Sequence, residues 1–208
     1  MDSRTDLLLV DDFIDLLNQL DDFLDARDPE HHLTIRAIGG FSLMYHEQET
    51  SLTMLRMGSS DIDTLTKLPR NVATMVDIIA VNNGAPSDWL NNRWYANHNF
   101  NEELERFIVW EPTKYGFRHI TLLVANLEGI LLMKMRAVCE ALEFAGYPAN
   151  DEALAAELRT QDVMDVVSLL HFFDVTSALD FSRLNIPSKI DRTDLLLQYL
   201  INAGILSS

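Results

Sequence analysis

Asp61-Ile62-Asp63 sets two carboxylates two positions apart. In a β-strand, residues i and i+2 project from the same face, so these acids stand side by side while Ile62 turns inward. Adjacent carboxylates repel and raise each other's pKa unless a cation intervenes. Mg2+ is the natural one, because it is hard, prefers oxygen and bridges one or two carboxylates to phosphates. Upstream, Gly39-Gly40 follows a short β-branched run and precedes Phe41-Ser42. Glycine permits positive φ and close backbone approach, and the first turn of a helix offers unpaired N–H groups and the positive end of its dipole. A phosphate suits that position. Taken singly both features are ordinary, since most Gly-Gly pairs are tight turns and most acidic pairs are solvated.

Lys134 is the next residue of interest. Leu127, Ile130, Leu131, Lys134, Val138 and Leu142 recur at helical spacing, so the lysine lies on the apolar stripe of its helix. Either it snorkels to the rim or it meets an anion at the core's edge. On the sequence alone, Lys134→Met is expected to keep or raise stability. Asp162 and Asp165 fall on the helix of Val163, Val166, Val167 and Leu170, where Asp162 is a candidate partner for Lys134 or an acid favoured by the helix dipole. Arg136 falls off the stripe and is expected in solvent. Nothing has the order of a nucleophilic triad. His31-His32 lacks metal-site spacing, and His46 and His171 are isolated. Cys139 is the single cysteine, which excludes an intramolecular disulfide and a zinc site built on a cysteine cluster.

The elements that must position these groups can be read from periodicity. Leu9, Phe13, Leu16, Leu17, Leu20 and Phe23 or Leu24 predict an amphipathic first helix ending before Pro29. Residues 33–38 read as a strand stopped by Gly39-Gly40, 41–46 as a short helix and 47–60 as a polar loop. Strands are expected at 61–65, 107–110 and 119–124. Helices are expected at 71–84, after a turn as a short piece within 85–94, and then at 127–145, 151–158, 161–173 and 191–203. The fold class is therefore α+β, a small mixed sheet with flanking helices followed by a helical C-terminal part.

The chain has 208 residues, 48% of them hydrophobic, and a net charge of −16. Ten of its sixteen bases fall within 31–136, whereas 1–30 carries ten acids against two bases. An anion site therefore belongs in the middle, and the acidic ends read as solvated helix faces. The balance argues against a general nucleic-acid or anionic-membrane binder unless Arg56, Lys67, Arg70 and Arg93 cluster. No apolar run is long enough for a membrane span and the first residues lack a signal-peptide pattern, so a cytoplasmic location is expected.

In order along the chain, Gly39-Gly40-x-Ser42 and Asp61-x-Asp63 resemble the core signature of the DNA-polymerase-β-type nucleotidyltransferase superfamily. LEGILLMKMRAV and QDVMDVVSLL look like the helical tail of its relatives among abortive-infection, or toxin–antitoxin, nucleotidyltransferases, and Asp88-Trp89-Leu90-Asn91 looks like a short motif of that group. The resemblance covers about residues 33–170. It implies a nucleotidyltransferase-like core over 1–125, including the N-terminal helix, and a helical subdomain over 126–208. It also implies metal-dependent transfer of a nucleotide from a nucleoside triphosphate to an RNA, protein or small-molecule acceptor, with Mg2+ as cofactor and a protein partner encoded nearby. Asp61 and Asp63 would hold the metal, and Gly39, Gly40 and Ser42 the phosphates, with Arg56 and Ser59 approximating an Arg-x-Thr found in relatives. Lys134 would stabilise developing charge, with Asp162 orienting it or the acceptor. The chain departs from the family in its third carboxylate: strand 120–124 has no acid, and Glu111 lies just past the other expected strand. The alternative is a decayed scaffold of the same fold acting as a binding protein.

Overall fold

A computed structural model of the chain describes residues 7–54, 58–93, 102–148, 158–188 and 190–208. Its Cα positions divide into two compact units. The first comprises residues 1–48, 57–100 and 109–126, and the second 49–56, 101–108 and 127–208.

The first unit is a mixed five-stranded sheet with helices. Helix α1, Val10–Arg27, forms because Phe13, Leu17, Leu20 and Leu24 recur on one stripe, and all four are fully buried. It starts where the Asp12 carboxylate accepts the Leu9 N–H at 2.8 Å, and ends before Pro29. Strand β1 is Leu33–Ile38, and α2, Gly39–Glu49, begins directly on it. Then come β2 (Ile62–Thr64), α3 (Arg70–Asn83), β3 (Leu90–Asn91), β4 (Trp110–Pro112) and β5 (Ile120–Ala125). The spatial order is β3-β2-β1-β5-β4, with β1/β5 and β2/β3 parallel and β1/β2 and β4/β5 antiparallel. This is the α+β layout expected from the sequence.

Register assigns each side chain to a face. Ala37 pairs with Thr64 and with Val124, and Val124 pairs with Glu111, so these four share one face. The neighbouring rung puts Ile38, Asp63 and Asn91 on the other face. The first face carries Leu33, Ile35, Ile62, Leu90, Ile120 and Leu122 into the core that α1 and α3 complete. Burying each such side chain contributes roughly 1.5–3 kcal/mol, enough to forbid a one-residue register slip that would exchange the faces.

Three local readings need correction. Residues 107–109 are not strand: Phe107 and Ile108 donate to the carbonyls of Leu104 and Glu105, and the Asn126 amide caps Val109 at 2.9 Å, so pairing starts at Trp110. Of the turn and short helix expected over 85–94, the turn is present, but Leu90–Asn91 form β3, because the Trp89 carbonyl accepts the Ile62 N–H at 2.6 Å and recruits the segment to the sheet. The acidic face of α1 is not wholly solvated. Asp21 is buried and accepts the backbone N–H groups of Arg118 and His119, at 3.0 and 2.7 Å, while the Arg118 guanidinium reaches Asp22 and Asp25. Those acids fasten the approach to β5.

In the second unit, α4 (Glu102–Glu105) packs on α5 (Leu127–Phe144), which also packs on α6 (Thr160–Phe172) and α8 (Thr193–Asn202). Helix α7, Ala178–Ser182, was not expected. It is set by a reciprocal cap in which the Asp180 N–H donates to Ser177 Oγ at 3.1 Å and Ser177 Oγ donates back to the carboxylate at 2.6 Å. The helix expected over 151–158 falls almost wholly outside the described residues. Among the described residues, no helix is long and apolar enough to cross a membrane.

Candidate functional site

The end of β1 and the start of β2 bring Gly39 against the acidic pair. Antiparallel pairing sets Ile38 opposite Asp63, so the next residue, Gly39, must cross the Asp63 carboxylate as the chain turns into α2. Its φ is +68°, a region that side chains disfavour, and a Cβ placed there would sit 3.0 Å from Asp63 Oδ2. Both conditions select glycine. Ile62 and Thr64 are fully buried while Asp61 and Asp63 are half-exposed, so the two acids share the face away from the core.

The Asp61 carboxylate is held by neutral donors. Asn91 Nδ2 donates to Oδ2 at 2.9 Å, and Ser60 Oγ to Oδ1 at 3.3 Å. Ser59 is buried and donates from Oγ to the Asp61 carbonyl at 3.1 Å, so it braces the turn. Burial is the main influence on Asp61 and pushes its carboxyl above the usual range, and the negative charge of Asp88 adds to this. The hydrogen bonds from Asn91 and Ser60 and the charge of Arg93 act the other way. A desolvated carboxylate beside a second carboxylate gains from a cation, and the all-oxygen donor set fits Mg2+. Among the described residues no group of three or more His, Cys, Asp or Glu side chains forms a metal cage. An ion at this place would take Asp61 and Asp63 as ligands and need further oxygens to complete its shell.

The remaining expected residues are placed as follows. Gly40 is buried one residue into α2. Ser42 is fully buried, and its hydroxyl has no hydrogen-bond partner among the described residues, a cost of about 1–3 kcal/mol for an unmade bond. Arg56 lies outside the described residues. Glu111 occupies the core-side face, on a strand separated from β2 by β1 and β5. At about 4.8 Å per strand it stands roughly 14 Å from the pair, and on the wrong side. The opposite face of β5 offers Thr121, Leu123 and Ala125, none of them acidic.

In the second unit, Lys134 and Asp162 do come together. Lys134 Nζ lies 2.5 Å from Asp162 Oδ1 and 2.8 Å from Asp165 Oδ2, and Asp165 is completely buried and also accepts from Gln161 at 2.9 Å. Two carboxylates thus compensate the charge of the Lys134 ammonium. Arg136 pairs with Glu140 at 2.7 Å on its own helix. Cys139 is buried, and burial, with acids nearby, pushes its thiol up to about 12, which removes it as a nucleophile at neutral pH. In the first unit, His46 is a core residue, bonded through Nε2 to the Ala125 carbonyl at 2.8 Å.

Sequence reasoning missed Asn91 as an individual residue. The signal was present, because Asp88-Trp89-Leu90-Asn91 stood out as a motif without a role. Trp89 is fully buried, with Nε1 donating to the Val76 carbonyl at 3.2 Å, and anchors the segment that delivers Asn91 to Asp61. No family model, no curated protein and no solved structure matches this chain.

Proposed function

We propose that this chain is a nucleotidyltransferase-like protein that binds a nucleoside triphosphate with Mg2+ and transfers its nucleotide to an acceptor. One observation carries the reading: a positive-φ glycine opens α2 against the carboxylate of Asp63, with Asp61 on the same face. A phosphate-suited helix start and a metal-suited acidic pair are thereby adjacent. The order of the motifs, resembling the DNA-polymerase-β-type superfamily and its toxin–antitoxin relatives, supports the same assignment.

In this reading Asp61 and Asp63 hold the metal, and the backbone of Gly39 and Gly40 donates to phosphate. Mg2+, when bound, neutralises the triphosphate and aligns the leaving pyrophosphate. Ser59 fixes the Asp61 turn. Lys134 and Asp162 pair with one another in the second unit, and the assignment is carried by Gly39, Gly40, Asp61 and Asp63. The acceptor is an RNA end, a protein hydroxyl or a small molecule, and a cytoplasmic setting fits all three.

A second reading, a binding protein on the same scaffold, is favoured by the position of Glu111, which stands on the core-side face and so does not serve as the carboxylate that activates an acceptor hydroxyl. The two part on turnover. With α-labelled nucleoside triphosphates, Mg2+ and cell extract as acceptor source, the transferase reading expects label in a macromolecule or small product and pyrophosphate release, both lost in Asp63→Asn. Tight nucleotide binding without either product would overturn transfer and leave the binding role.

A further inference from the structure

We propose that Asn91 is a positioning residue that holds Asp61 in the orientation from which it ligates a metal. This inference rests on the assignment of Asp61 and Asp63 as a metal pair.

Asn91 is 7% exposed and is the rung neighbour of Asp63 across the parallel β2/β3 pair. Its side chain therefore shares the face of the acids. Nδ2 donates to Asp61 Oδ2 at 2.9 Å and to the Asp88 carbonyl at 3.3 Å, while Oδ1 accepts the Arg93 N–H at 3.1 Å. Exchanging the amide oxygen and nitrogen would set oxygen against two acceptors and nitrogen against a donor, so the network permits one orientation. The segment is itself fixed, by Trp89 in the core and by the Arg93–Asp88 ion pair at 2.5 Å.

The residue type is selective. Aspartate at position 91 would add a third negative charge and remove the donor. Leucine would leave Asp61 Oδ2 without this partner. Asparagine satisfies one lone pair of Oδ2, adds no charge and leaves the other lone pair for a cation. Partners that orient a metal-ligating side chain typically contribute 10–100-fold to metal affinity.

The test uses the full chain and Mn2+ alone, with free ion read by electron paramagnetic resonance. Wild type, Asn91→Ala, Asp61→Asn and the Asp61→Asn/Asn91→Ala double variant are compared. Asn91→Ala is expected to weaken Mn2+ binding by roughly 10–100-fold, and to cause no further loss in the Asp61→Asn background, because its effect runs through Asp61. Wild-type affinity in Asn91→Ala, or an equal loss in both backgrounds, overturns the positioning role and leaves the metal pair standing. Absence of Mn2+ binding by wild type at millimolar ion overturns both. Should the alanine variant fail to fold, Asn91→Leu, which keeps buried volume and removes the donor, is judged by the same results.

Discussion

Among the described residues, the carboxylates around Lys134 and those at the glycine turn are satisfied in opposite ways. In the second unit Asp162 and Asp165 close on the ammonium of Lys134, within 2.5 and 2.8 Å, and Asp165 is wholly buried. In the first unit Asp61 is held by an amide and a hydroxyl, stays half-exposed, and has its carboxyl pushed upward by burial. The first arrangement carries its own counter-charge. The second keeps a partly desolvated carboxylate beside a glycine turn. The buried pair that carries its own cation holds helices together, whereas Asp61, oriented by an amide and a hydroxyl, is the carboxylate on which the proposed site draws.

That contrast is broken most forcefully at Lys134. The sequence alone suggests that Lys134→Met is neutral or stabilising, and the ion pairs reverse the sign. Removing the cation leaves two acids close together, one of them completely buried, and losing one partner of a buried pair costs about 3–5 kcal/mol. Urea denaturation should register a loss of that size. A variant as stable as wild type would mean that the ammonium does not compensate Asp165. A smaller effect is expected in the first unit. Gly39→Ala forces a side chain into φ near +68° and places a Cβ 3.0 Å from Asp63 Oδ2. Strain of this kind costs about 1–3 kcal/mol. The variant should lose stability in that range and lose nucleotide binding with it, and unaltered binding would remove the glycine turn from the site.

Much of this was legible in the sequence, and the failures have identifiable causes. Strand β1 and helix α5, buried more widely, are read from their apolar residues and from the glycines and polar residues that bound them. Helix α1 announces itself because one face is buried and the other is not, so hydrophobic spacing records its period. The Asp61/Asp63 face was readable for the same reason, with Ile62 as the buried residue between them. Strand β3 was not, because two residues carry no period; it exists through the Ile62–Trp89 hydrogen bond, a partner 27 positions away. The structural duty of Asp21 was hidden because an acid that caps distant backbone N–H groups looks, in sequence, like any acid on a helix face. Lys134 was recognised as misplaced on an apolar stripe, but that Asp165 as well as Asp162 neutralises it depends on how α5 and α6 pack.

The most direct measurement is the thermal transition of wild type and Asp61→Asn/Asp63→Asn, each with and without millimolar Mg2+ and nucleoside triphosphate. A ligand at ten times its Kd that binds only the native state adds about 1.4 kcal/mol, and for a chain of this size each kcal/mol moves Tm by roughly 2–4 °C. Wild type should therefore rise by several degrees. The double variant should show no ligand shift, and its ligand-free Tm should equal or slightly exceed that of wild type, because the desolvated charge at Asp61 is gone. An unmoved wild-type Tm, or an equal shift in both proteins, would contradict the assignment of Asp61 and Asp63 as the ligand-binding pair.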